Sequence, residues 1–74
     1  MEVGMLWFDN DKKTTFEEKV NLAVLAYIEK YTVYPNTCVV NHSMFEEGTK
    51  VISGINMQKA KNIHPNYFWI GVEL

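Results

Sequence analysis

Phe16, Val20, Ala23, Val24, Tyr27 and Tyr31 fall at intervals of three and four residues, which lines them up as one apolar stripe on a helix spanning about residues 15–32. The start of that helix is marked. Thr14 with Glu17, or Thr15 with Glu18, has the spacing of a capping box, in which a threonine oxygen accepts an orphan backbone N–H of the first turn. The same glutamates complement the positive end of the helix dipole, and Lys30 complements the other end. The stop is Tyr34-Pro35-Asn36, because a residue that precedes proline is pushed out of the helical region. A stripe this wide must be covered, and the chain offers no second helix of similar length to cover it. The rest of the sequence therefore has to supply a sheet.

The runs on either side of the helix read as strands. Residues 3–8 are apolar and aromatic, and the polar cluster Asp9-Asn10-Asp11-Lys12-Lys13 ends them. Residues 37–40 form a short buried strand. Ser43-Met44-Phe45-Glu46 offers a second capping box, with Gly48 placed to stop a single helical turn. Lys50-Val51-Ile52, Ser53-Gly54 and Ile55-Asn56-Met57-Gln58 form a tight hairpin that sets Ile52 opposite Ile55 and Lys50 opposite Met57. After the turn His64-Pro65-Asn66, residues 67–74 are the clearest strand: Phe68, Ile70, Val72 and Leu74 alternate with Tyr67, Trp69, Gly71 and Glu73. The expected fold is a two-layer α+β domain, one long helix packed on a four- or five-stranded, mostly antiparallel sheet. All 74 residues belong to that single domain, with no repeat and no linker.

Charge narrows the function classes. The net charge is −2, and all seven cations are lysines, interleaved with acids and forming no basic stripe. Without arginine the chain lacks the bidentate fork that reads guanine and clamps phosphate, so nucleic acid is not expected as a partner. The longest uninterrupted apolar run, residues 22–28, is far short of the roughly 20 residues that cross a bilayer, and no membrane association is expected. Met1-Glu2-Val3-Gly4 carries an acid and no cationic region, so no secretory signal is expected. With the single Cys38, which has no intramolecular partner, this points to a reduced, cytoplasmic setting.

Chemistry-bearing residues are sparse. Cys38 and His42 lie four apart and would share a face on a continued strand, and His64 is the third soft ligand. A metal or small-ligand site built on Cys38, His42 and His64 is the alternative reading, although a closed zinc site needs four ligands and would have to borrow Asp9 or Asp11. A cysteine beside Val39 and Val40 reads more simply as a small core residue. Asp9-Asn10-Asp11 opens like a calcium loop, but Lys13 and Thr14 occupy its fifth and sixth places. Gly4, Gly48, Gly54 and Gly71 are isolated and build no phosphate loop. No cofactor is expected, and the balance leans against catalysis.

The surplus of apolar residues is the stronger lead. A domain of this size buries only roughly 60% of the surface that its unfolded chain exposes. With Phe68, Ile70 and Val72 turned to the helix, Tyr67 and Trp69 must face the other side of the sheet. In residues 3–8 both alternating sets are apolar, so either Trp7 or Phe8 joins them. Leu22 and Leu25 lie outside the helix stripe. Trp69, Tyr67, Trp7, Leu22 and Leu25 are therefore the candidate contact residues, since Trp and Tyr are enriched where proteins bind one another. The partner is an unidentified protein or a second copy of the chain.

The C-terminal half, from about Pro35, resembles a local piece of the axial α+β domain of tailed-phage major capsid proteins and their encapsulin relatives. The resembling elements run in order: Pro35-Asn36 leading into Thr37-Cys38-Val39-Val40-Asn41-His42, the helical turn at Met44-Phe45, the strand Ser53-Gly54-Ile55-Asn56-Met57, and Ile63-His64-Pro65-Asn66-Tyr67-Phe68-Trp69-Ile70-Gly71. In that family the stretch makes subunit contacts near the capsomer axis and performs no catalysis. The long spine helix and extended arm of the capsid fold have no counterpart here, so the resemblance implies a stand-alone domain of similar local topology. The rest of the chain resembles small prokaryotic open reading frames. No functional residue carries over from either likeness.

Overall fold

The structure is a computed structural model that describes residues 3–45, 48 and 50–73. It holds one helix, α1 (Phe16–Tyr31), and five strands: β1 (Val3–Phe8), β2 (Thr37–Asn41), β3 (Val51–Ile52), β4 (Ile55–Ala60) and β5 (Tyr67–Val72). The strands form one sheet in the order β1-β5-β2-β4-β3. Three of its four pairings are antiparallel and β2–β4 is parallel, so the two-layer α+β arrangement expected from the sequence is present, with five strands in a mostly antiparallel sheet.

The helix begins where its cap dictates. Thr15 is the N-cap: its hydroxyl oxygen accepts from the Glu18 backbone N–H at 3.2 Å, and the hydroxyl donates to Glu18 Oε1 at 3.0 Å. Of the two possible boxes, the second forms. Ahead of it, Asp9 Oδ1 accepts from the Asp11 N–H and Asp11 Oδ1 from the Lys13 N–H, two successive side-chain turns that carry the chain from β1 to the helix. At the far end Thr32 closes α1 in a left-handed conformation, φ 57°, with its N–H donating to the Ile28 carbonyl.

The stripe on α1 lies against β5 and its neighbours. Val20, Ala23, Val24 and Tyr27 are buried, and they meet Phe68 and Ile70 of β5, Cys38 and Val40 of β2, and Ile52, Ile55 and Met57 from β3 and β4. Met5 and Trp7 of β1, Phe16, Tyr31 and Val72 pack around this core, partly buried. Side chains alternate across a strand, so β1 presents Met5 and Trp7 to the helix and Leu6 and Phe8 to the other side.

Three details differ from the sequence reading. Strand β4 runs on to Ala60 because it pairs in parallel with the whole of β2, an association that no turn signal announces. Strand β2 stops at Asn41, whose Oδ1 accepts from the Ser43 N–H and hydroxyl and turns the chain away. The expected helical turn at Ser43-Met44-Phe45-Glu46 reaches beyond the described residues. Its described part is a turn closed by the Met44 N–H on the Asn41 carbonyl. The hairpin forms as expected, with Ser53 and Gly54 both at positive φ as a primed two-residue turn requires. Leu74 lies outside the described residues.

Candidate functional site

Only one face of the sheet carries the helix. The other is built by the outward residues of all five strands, and two strands give it its character. On β1, Leu6 is 59% and Phe8 51% exposed. Beside them on β5, Trp69 stands opposite Leu6 and Tyr67 opposite Phe8. The Phe8 and Tyr67 rings lie 4.9 Å apart at 54°, a tilted contact of the kind that stabilises neighbouring aromatics. Val39 of β2 stands across from Trp69 and is only 7% exposed, so the exposed part of this face lies toward β1 and not at β2.

Trp69 does not project into solvent. A Cβ placed on Gly4 would lie 2.1 Å from its Cζ2 and 2.3 Å from its Cε2, so the indole reclines over Gly4 and occupies the space of the side chain that glycine lacks. An aromatic ring laid over a cross-strand glycine replaces lost packing at a weak point of a sheet.

The electrostatics of this face are simple. From Gly4 on β1 to Val51 on β3, no outward residue of any strand is charged. The polar groups there are neutral: Asn56 and Gln58 on β4, and on β2 Thr37 and Asn41, which are buried. Glu73 stands at the rim just past β5, where Gln58 Nε2 donates to it at 3.5 Å. Asn36 ties that rim together: its Nδ2 donates to the Glu73 carbonyl and its Oδ1 accepts from the Glu73 N–H. Depletion of charge around exposed aromatics is the composition of an interface centre and unlike an ordinary wet surface.

The residues singled out in the sequence divide into separate groups. Trp69 and Tyr67 lie together on the uncovered face. Trp7 lies on the opposite side, half-buried against the core beneath α1, and Phe8 takes the outward place. The buried Trp7 Nε1–H has no acceptor among the described residues. Leu22 and Leu25 are 45% and 62% exposed on α1, remote from the uncovered face. Leu22 lies one turn before Ala26, which with Trp7, Glu29 and Lys30 lines an open groove between α1 and β1. Leu25 lies one turn after Asn21, whose Oδ1 accepts from the Ser53 hydroxyl at the opposite flank.

Cys38, His42 and His64 do not converge. Cys38 is fully buried in the core, where desolvation pushes its thiol up to about 12 and leaves it protonated and unreactive at neutral pH. His42 follows the turn at Asn41, beside Lys59 and Lys61 in a shallow groove. His64 sits before β5, its ring 6.4 Å from that of Tyr67. Among the described residues no three His, Cys, Asp or Glu side chains stand close enough to hold a metal. Asp11, in the turn before α1, has its carboxyl held below the usual range by the Lys13 N–H and then by the Thr14 hydroxyl, which gives it a structural partner. No described helix is long and apolar enough to cross a membrane.

The contributions of Gly4 and Val39 to the uncovered face escape a sequence reading. Each depends on the register of β1 and β2 against β5, which residue type and periodicity do not reveal. Compared with protein families, with curated proteins and with solved structures, the chain matches none.

Proposed function

We propose that this protein is a small non-catalytic interaction domain whose uncovered sheet face docks a protein surface. The observation that carries this reading is an uncharged face on which Leu6, Phe8 and Tyr67 are exposed beside the half-buried indole of Trp69 over Gly4. Contiguous apolar surface of this kind mostly marks interaction sites. The partner is apolar and uncharged at the centre of contact; nucleic acid and anionic membranes do not suit a face without a cation. A cytoplasmic setting, where a lone buried thiol stays reduced, goes with this reading. Subunit contact without catalysis is also what the resemblance to the capsid axial domain implies.

The test is a paired capture from the native host with wild-type protein and a Phe8→Lys/Tyr67→Lys variant. Both positions are exposed, so the variant retains its fold by circular dichroism. Partners recovered by the wild type and lost with the variant support the docking face. Equal recovery by both proteins overturns it.

A further inference from the structure

The sheet has two ends, and they are built very differently. Strand β3 closes one end with two residues, preceded by Lys50. Strand β1 closes the other with six residues, Val-Gly-Met-Leu-Trp-Phe, which contain no charge and no proline and pair with β5 residue for residue without a bulge. Shortness, charge, proline and bulges are the devices that keep free sheet edges from recruiting another strand. The β3 end uses the first two, and β1 uses none.

The ladder tells which groups are free. The Asp9 N–H donates to the Asn66 carbonyl at 2.9 Å, in register with the β1–β5 pairs. Hydrogen-bonded pairs alternate along an antiparallel ladder, so Val3, Met5 and Trp7 direct their backbone groups at β5. Gly4, Leu6 and Phe8 direct theirs away from the sheet. The edge thus offers three N–H donors and three carbonyl acceptors in strand geometry, a pattern that only another extended backbone matches in full.

We infer that β1 pairs antiparallel with β1 of a second copy, with Leu6 on the twofold axis, joining two sheets into one of ten strands. The inference concerns the edge of the sheet and stands apart from the proposed function of its face. The occupant follows from self-complementarity. Centred on Leu6, all three free residues fall in hydrogen-bonded pairs: Leu6 meets Leu6, and Gly4 meets Phe8, a small residue beside a large one. On the helix side Met5 meets Trp7, a favourable sulfur–aromatic combination.

The test uses the full chain. Sedimentation from micromolar to millimolar concentration should show the mass doubling, and the amides of Gly4, Leu6 and Phe8 should exchange more slowly as dimer forms. Leu6→Pro removes an outward N–H and leaves every β1–β5 hydrogen bond in place, since proline is tolerated at an edge. It should weaken dimerisation about tenfold or more, whereas Leu6→Ala, which keeps the N–H, should still dimerise. Tyr67→Lys disables the face and should leave the dimer intact. A chain that stays monomeric throughout overturns the inference, as does a dimer in which those three amides exchange as in the monomer. Loss of the dimer in Tyr67→Lys with retention in Leu6→Pro places self-contact on the face and overturns it too. Protection of these amides by a foreign extended peptide in a monomeric chain overturns the second copy as occupant.

Discussion

At Gly4 a missing side chain decides the shape of a neighbour. The indole of Trp69 fills the space above it and is half-buried there. A methyl group there must displace the indole, because 2.1 Å is far inside van der Waals contact. Gly4→Ala should destabilise the protein by about 1–3 kcal/mol, the usual range for overpacking, and shift tryptophan emission as the ring lifts. Denaturant unfolding monitored by fluorescence checks both. An unchanged midpoint and spectrum would mean that the ring is not held where the structure has it. Cys38 shows the opposite relation between type and place. Its sequence spacing to His42 suggests shared chemistry, yet Asn41 ends the strand between them and the thiol is sealed beneath α1.

Among the elements, α1 was the most legible in the sequence, since its stripe, its Thr15 cap and its end before Pro35 are all local signals. The residue that caps its end carries an avoidable cost. Thr32 holds φ 57° and ψ 25°, where a β-branched side chain is disfavoured and glycine is at ease. Thr32→Gly should raise stability by about 0.5–1 kcal/mol, read as a higher urea midpoint at unchanged slope. A lower midpoint would show that the Thr32 hydroxyl, which donates to the Tyr31 carbonyl, outweighs the backbone strain. Strand β5 was legible for a different reason: its inward residues are aliphatic or Phe, and its outward residues include Tyr, Trp and Gly. Strand β1 was not, because Met5 and Trp7 are as apolar as Leu6 and Phe8. Only the position of β5 beside it decides which pair is covered. The parallel pairing of β2 with β4 was illegible as well, since turn residues speak for neighbours in sequence and these strands are separated by a hairpin arm.

For the whole molecule, the order β1-β5-β2-β4-β3 places β5 between β1 and β2. Strands β1 and β2 flank α1 in sequence but never touch in the sheet; β5 joins them. It also contributes Phe68 and Ile70, both fully buried at the centre of the core. Truncating such side chains to alanine costs roughly 2–5 kcal/mol each, against a stability of about 4–11 kcal/mol for a chain of this length. A chain lacking residues 67–74 should therefore lose its cooperative thermal transition and most of its helical circular dichroism. A folded, cooperative truncated chain would show that the remaining strands close without their central member. This topology bears on synthesis. The ribosome delivers the segment that must occupy the middle only after the segments it has to separate, so the first sixty residues emerge with no stepwise route to a finished sheet. Until that late segment arrives, the inward side chains of β1, β2 and α1 have no completed sheet to cover them.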